Sequence, residues 1–335
     1  MTKPYLSICV TSYKRLKELK RCLNSVDAGN EDLVEIIVSE DHSPQREAIR
    51  TLVDKFAQGS KYKVVFNSNE INLGYDNNLK KLIDLAAGEY IMFLSDDDCL
   101  FEGALDKLMA TLKNKEPAML FSPFYYGPTK TYRRKYGHSF AIPKGSASAA
   151  KYVYDAILFS GLTFKRNLIT EYQAERFKNL NYFQVYLFLS TIYKYGAYYL
   201  NVKTINSVSD GENAYGTVAS VGKDNALLAD RNSIYSNLEF NKGLVKAIKI
   251  FDLDNNENVI DDFARQYSIR SYGGLSRARV QGIKVYNDYW NKLNGVGVKL
   301  NGVAITYYLF LLIFGKKICD KLVLIPKTIL LKKRR

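Results

Sequence analysis

Residues 90–105, "YIMFLSDDDCLFEGAL", place three consecutive carboxylates, Asp96, Asp97 and Asp98, directly behind a five-residue apolar run. Like charges that close repel one another. A chain that sets them at the end of a buried strand needs an opposite charge at the same place. One acid there would ordinarily be a solvated turn or the cap of a helix starting near Glu102. Three acids that converge with Glu40 and Asp41 from another strand end are harder to read as a cap.

Outward from this segment the first 125 residues alternate between two periods. Short apolar runs at 6–10, 34–38, 62–66, 90–94 and 118–126 read as five strands. Between them lie helical spacings, among them Leu16, Leu19, Leu23 and Val26, and Leu79, Leu82, Ile83 and Ala86. Gly88 reads as the C-terminal cap of the third helix. Strands alternating with helices predict an α/β fold, a mainly parallel sheet covered on both faces. In such sheets a ligand sits beyond the carboxyl ends of the strands. Those ends carry "TSYKR" (11–15), "SEDHSP" (39–44), "NSNEINLGYDNN" (67–78) and "SDDD" (95–98), so polar and acidic residues collect on one edge.

The stretch 127–160 is basic and tyrosine-rich and reads as a loop over that edge. A further strand, helix and strand follow to about 202, then a loop over 205–220 and a helical region over 223–295. The expected division is an α/β domain at 1–215 that carries the acidic edge, a helical region at 216–297 and an amphipathic basic tail at 298–335.

Composition narrows the partners. The 335 residues carry a formal charge of +14, which favours a polyanionic partner. No nucleic-acid motif is present and the candidate site is acidic, so nucleic acid is not expected. Cys9, Cys22, Cys99 and Cys319 lie far apart without CxxC pairing, which argues against a zinc site and a disulfide framework. "MTKPYLSICV" runs straight into a strand-like segment, and the expectation is the cytosolic side. From Lys316 to Arg335 there are eight basic residues and one acid. Ile318, Leu322 and Ile325 share a helical face there, which suits a helix lying in a membrane interface; each cation near an anionic leaflet adds about 1 kcal/mol. Between Lys299 and Lys316 no charge occurs; these 16 residues are short for a comfortable span, and a tilted or re-entrant segment is the alternative. The competing reading is a C-terminal helix packed on the core.

Crowded carboxylates are stabilised by a divalent cation, and hard oxygen ligands suit Mg2+ or Mn2+. The segments "ICVTSYKR", "IIVSEDHSP", "NLGYDNNLKKLIDLAAGEYIMFLSDDD" and "GAL", in this order, resemble family 2 glycosyltransferases with the GT-A fold. The resemblance covers residues 5 to 125 well and continues weakly to about 215. It implies that Thr11, Tyr13 and Arg15 lie beside the base and phosphate of a nucleotide-sugar donor, and that Asp41 hydrogen-bonds the base. Glu40 stands where the family more often has Asp. The family's DxD motif falls on Asp96, Asp97 and Asp98. It implies Asp96 or Asp97 at the ribose and metal and Asp98 at the metal. Asn72 and Gly74 belong to the turn after the third strand; a turn without ligand contact explains them equally well.

An inverting transferase needs a base for the acceptor hydroxyl. The family supplies an acid about a hundred residues after the DxD; here "KNLNYFQVYLFLS" (178–190) has none, and Gln184 stands nearby. Three explanations compete: a base from Asp210 or Glu212 in "SDGENAYG", a base from Glu171 or Glu175, or a retaining reaction. The "GEN" segment and the missing acid resemble an abequosyltransferase-like branch. Asp210 and Glu212 also fit a polar surface turn. Arg133 and Arg134 are candidates for the acceptor side or a diphosphate, against a solvated charge run. His42 reads as a turn residue near the nucleotide, and His138 as exposed. The resemblance implies a metal-dependent enzyme of bacterial surface-glycan synthesis. It would act on a lipid-linked acceptor at the inner leaflet of the cytoplasmic membrane, where the tail would hold it. The alternative is an inactive GT-A scaffold that binds membranes.

Overall fold

The computed structural model describes residues 3–27, 29, 31–208 and 234–332. The chain divides into two compact units, Met1–Ala214 and Tyr215–Arg335.

In the first unit the strands are β1 (Leu6–Ser12), β2 (Val34–Glu40), β3 (Lys63–Ser68), β4 (Tyr90–Ser95), β5 (Asp98–Leu100), β6 (Met119–Phe121), β7 (Phe124–Tyr126), β8 (Thr131–Arg133), β9 (Phe140–Ile142), β10 (Thr163–Lys165), β11 (Ala197–Tyr199) and β12 (Ile205–Ser207). The helices are α1 (Leu16–Asn24), α2 (Arg46–Gly59), α3 (Tyr75–Leu85), α4 (Ala104–Lys115), α5 (Ser146–Tyr152) and α6 (Phe183–Tyr195). The main sheet runs β3-β2-β1-β4-β10-β6-β11-β9, and a smaller one runs β5-β12-β7-β8.

The first four strands are parallel and in register: Leu6 faces Val34 and Tyr90, and Thr11 faces Ser39 and Ser95. β1, β2 and β4 read as continuous apolar runs because helices cover both faces; Ile8, Ile36, Ile37, Met92 and Phe93 are wholly buried. Each such side chain contributes about 1.5–3 kcal/mol. The order 3-2-1-4 means that the chain builds outward on one side of β1, then crosses to the other. The crevice between the carboxyl ends of β1 and β4 is therefore the topological switch point of the sheet. The α/β fold expected from the periodicity is observed.

Four readings are corrected. The run 118–126 is two strands in different sheets, β6 and β7, because Pro123 between them has no N–H to continue a ladder. The stretch 127–160 is not plain loop; it contains β8, β9 and α5. The loop read over 205–220 opens with a strand, β12 at Ile205–Ser207, which pairs with β5 and β7. Gly88 does not cap α3, which ends at Leu85. Its N–H donates to Ser7 Oγ (2.9 Å), and a Cβ at Gly88 would stand 2.7 Å from Ser7 N and 2.9 Å from the Tyr90 carbonyl oxygen. Gly88→Ala should therefore shift the backbone between β1 and β4 and cost about 1–3 kcal/mol. An unchanged urea midpoint would contradict that contact.

In the second unit α7 (Ser236–Asn255), α8 (Val259–Arg270), α9 (Tyr272–Val280), α10 (Ile283–Asn294) and α11 (Gly302–Lys332) follow one another. The helical reading of 223–295 thus holds over its described part. α9 packs on α10 and on α11. One sequence expectation changes: Gly302–Leu322 is long and apolar enough to cross a membrane by length and composition. That stretch runs past Lys316 and includes lysines near its end.

Candidate functional site

The strand register brings the predicted acids to one rim. Ser12 faces Glu40 across β1 and β2, and Asp41 N–H donates to the Ser12 carbonyl (3.0 Å). On the other side of β1, Tyr13 N–H donates to Asp96 Oδ2 (3.1 Å). Arg15 Nη1 then spans the switch point, 2.8 Å from Asp96 Oδ1 and 3.0 Å from Asp97 Oδ2. Thr11, Tyr13, Arg15, Glu40, Asp41, Asp96 and Asp97 therefore belong to three adjacent strand ends. Asp98 follows on β5, paired in register with Ser207 of β12.

Each acid is held differently. Asp41 accepts from Leu73 N–H (2.8 Å), Gly74 N–H (3.0 Å) and Asn69 Nδ2 (2.9 Å), and its own carbonyl accepts from Asn72 Nδ2 (3.1 Å). The "NLG" turn thus wraps Asp41, and Gly74, at φ 77°, supplies the left-handed step into α3. Burial pushes the Asp41 carboxyl up against these donors. Glu40 accepts from Ser43 N–H (2.7 Å) through Oε1, while its buried Oε2 has no partner. Ser95 Oγ donates to Asp97 Oδ1 (2.5 Å).

Asp96 and Asp98 are raised far above the ordinary carboxylate range. Burial pushes Asp96 to about 7 although Arg15 opposes it. Burial, and then the Asp97 charge, push Asp98 to about 7 although the Ser160 and Ser207 hydroxyls oppose it. Ser160 Oγ donates to Asp98 Oδ2 at 2.6 Å. The other end of the sheet is a useful contrast. There Glu35 is also buried, but donors from Ser7, Lys63 and Ala87 outweigh burial and hold it low. At the amino end the donors prevail over burial; at the carboxyl end burial prevails over the donors of Asp41, Asp96 and Asp98.

Two residues were missed in the sequence. Asp76 accepts from Asn181 N–H and Phe183 N–H (both 2.9 Å), so a side chain of α3 caps α6. Burial pushes it to about 7. Its signal was an acid in the first turn of α3, but its partners lie 105 and 107 residues away. Ser160 carried no signal at all.

The remaining candidates are placed as follows. Arg133 is exposed. Arg134 is buried, so for it the solvated charge run is corrected. Nε donates to the Asp155 carbonyl (2.7 Å) and Nη1 to the Ser160 carbonyl (3.0 Å). Gln184 is buried at the start of α6; Nε2 donates to the Ile157 carbonyl (3.3 Å), and Oε1 has no partner. Glu171 and Glu175 are exposed, Glu175 accepting from Asn77 Nδ2 (3.1 Å). His42 sits in the β2–α2 turn at φ 56°, and His138 is exposed. Asp210 and Glu212 lie outside the described residues.

The donor set fits a hard divalent cation in chemistry: Asp96 and Asp97 share the Arg15 guanidinium, while Asp98 is met by the Ser160 hydroxyl, so oxygen ligands outnumber the cation that bonds them. Among the described residues no three acidic, His or Cys side chains already converge as a metal cage.

The protonation states make a prediction about the free protein. Asp76, Asp96 and Asp98 hold protons up to about pH 7 in the fold, whereas carboxyls of an unfolded chain titrate near ~4. Between those values the folded state binds more protons. Stability therefore falls as pH rises from 5 to 7 and levels off above it. Thermal melts that rise over this window would contradict the burial of these acids.

A mainly parallel sheet with acids at its switch point defines a class, the α/β proteins whose ligand site lies at the carboxyl ends of the strands. The particular family follows from comparison. The sequence model of glycosyl transferase family 2 matches residues 7–179, over half of the chain, and the protein belongs to that family. Abequosyltransferase RfbV of Salmonella typhimurium is 24% identical over 110 residues, 33% of each chain. The GalNAc(5)-diNAcBac-PP-undecaprenol beta-1,3-glucosyltransferase of Campylobacter jejuni is 31% identical over 106 residues, 32% of this chain and 34% of that one. The match thus spans about a third of the length of these curated relatives. The crystal structure of S. aureus TarS 1-349 in complex with UDP shares the fold, with a TM-score of 0.51 over 91% of each chain at 14% identity. The GT-A expectation holds.

Proposed function

We propose that the protein is a glycosyltransferase that moves one sugar from a nucleotide-sugar donor to a lipid-linked glycan acceptor in bacterial surface-glycan synthesis. The observation that carries the reading is the rim at the switch point, where Arg15 ties Asp96 and Asp97 beside Asp41 and Asp98. Similarity to an abequosyltransferase and to an undecaprenol-linked glucosyltransferase supports a hexosyl or deoxyhexosyl donor and a lipid-linked acceptor. The cytoplasmic face of the membrane is part of the same proposal.

In this reading Asp41 and the 72–74 turn receive the nucleoside. Asp98 and the DxD neighbours Asp96 and Asp97 would hold Mg2+ or Mn2+, whose charge would offset that of a departing diphosphate. Arg15 acts as a positioning residue, because its guanidinium already bonds two of the acids. The Ser160 and Ser207 hydroxyls orient Asp98 without neutralising it.

Gln184 is the observation that favours the second reading, a binding-only scaffold. It stands in the segment where the family's base is expected, and an amide cannot take a proton. Incubation with UDP-, GDP-, CDP- and dTDP-sugars plus Mn2+ or Mg2+, read by intact mass and proton NMR of the anomeric centre, separates the readings. Turnover of one donor supports transfer, and the product's configuration decides whether a base is needed. Binding without hydrolysis or transfer supports the scaffold.

A further inference from the structure

α11 carries an uncovered apolar stripe. Ile305, Leu309, Ile313, Phe314, Ile318 and Leu322 are all exposed, Ile313 to 68%. Scattered exposed apolar residues are ordinary, but a continuous stripe marks a surface that something covers. The opposite side is occupied: Ala304, Leu311 and Cys319 are wholly buried, and α9 packs along the helix.

The helix is also broken. Gly315 leaves the helical course at φ 66°, ψ 175°. In the turn before it Arg279 Nε donates to the Leu311 carbonyl (2.9 Å), and Nη2 donates to the Leu312 carbonyl (3.5 Å). A cation here complements the carbonyl end of the first half of α11. Further polar ties follow on both sides of the break. Tyr286 OH donates to the Tyr308 carbonyl (2.7 Å), and Tyr272 OH donates to Asp320 Oδ1 (2.6 Å).

These ties decide between crossing a membrane and lying on it. The half from Gly302 to the break is about 20 Å long at 1.5 Å per residue, short of the ~30 Å hydrocarbon core. A crossing by Gly302–Leu322 would carry the Arg279 guanidinium, bonded at Leu311 and Leu312, to bilayer depth, where a charge is costly. Lying flat, the stripe enters the acyl boundary while the packed side stays with the protein. The occupant follows from charge: eight basic residues and one acid stand between Lys316 and Arg335, which suits an anionic surface.

We propose that α11, kinked at Gly315, is a monotopic anchor that lies in the plane of an anionic bilayer and does not cross it. The inference deepens the lipid-linked-acceptor reading. Its test uses neither donor nor acceptor, so either can fail alone.

The full chain is floated with vesicles of phosphatidylcholine alone and with phosphatidylglycerol added. Binding to the anionic vesicles, weakened by salt, is expected. Ile313→Glu with Phe314→Glu, both at exposed positions, should lower partitioning about tenfold or more, with an unchanged circular dichroism spectrum. The four native cysteines are buried, so single Lys299→Cys and Lys333→Cys variants can be probed with a membrane-impermeant maleimide added outside vesicle-bound protein. Labelling of both supports an in-plane helix, whereas protection of Cys at 333 alone means a crossing and overturns the proposal. It is also overturned by failure to float on either vesicle, or by flotation that the double variant leaves unchanged. A dimer that dissociates in the double variant, without vesicle binding, would assign the stripe to a second copy and equally overturn it.

Discussion

Asp98→Asn is expected to lower sugar transfer at least about a hundredfold, while leaving the free protein as stable as before or more stable at pH 8. The two effects have one origin. The Asp98 carboxyl is 5% exposed, and burial pushes it to about 7, so at pH 8 the fold carries an ionised group in a poorly solvated place. The amide keeps the shape and can still meet the Ser160 and Ser207 hydroxyls, but it removes the charge. A functional acid held at a cost in stability gives this opposed pair of changes. Asp98→Ala should lose as much transfer but gain less stability, because it leaves the two hydroxyls without their acceptor. Transfer rates and melts of the two variants at pH 8 check both halves. Full activity in Asp98→Asn would remove Asp98 from the site.

Arg15→Met should be the most damaging single change to the fold of the first unit. The Arg15 and Asp96 side chains are 6% and 4% exposed and bond at 2.8 Å. Removing one member of a buried pair leaves an uncompensated charge and costs about 3–5 kcal/mol. The loss should be larger at pH 8 than at pH 5. Without Arg15, Asp96 is pushed still higher, and protonation at pH 5 relieves the lone charge. Adding Asp96→Asn to Arg15→Met should recover part of the stability without restoring transfer. Urea unfolding at both pH values reads this. Equal losses at pH 5 and pH 8 would mean that Arg15 stabilises by packing alone.

Much of the site was legible because its acids follow strands with unambiguous patterns. β1, β2 and β4 are buried on both faces, so their apolar runs stand out, and their ends point to one edge. What was not legible depends on partners far along the chain. Asp98 reads as part of a turn; its strand character comes from pairing with Ser207, and Ser160 completes its shell from 62 residues away. Arg134 reads as one of a solvated basic cluster, yet its carbonyl partners at Asp155 and Ser160 draw it inside. Gly88 looks like a helix cap from local sequence, but the close approach of Ser7 decides it. The break in α11 is likewise carried by one glycine within an otherwise helical run. Its consequence appears only when Arg279 is seen on the freed turn.

The central claim is that acids from separate strands form one metal-assisted diphosphate site. Calorimetric titration of the full chain with UDP, GDP, CDP and dTDP, with and without Mn2+ or Mg2+, tests it most directly. The account predicts that at least one nucleoside diphosphate binds, that the metal strengthens binding at least about tenfold, and that Asp98→Asn abolishes the metal's effect. Absence of binding by every diphosphate in the presence of either metal, or binding indifferent to metal and to Asp98, would contradict it.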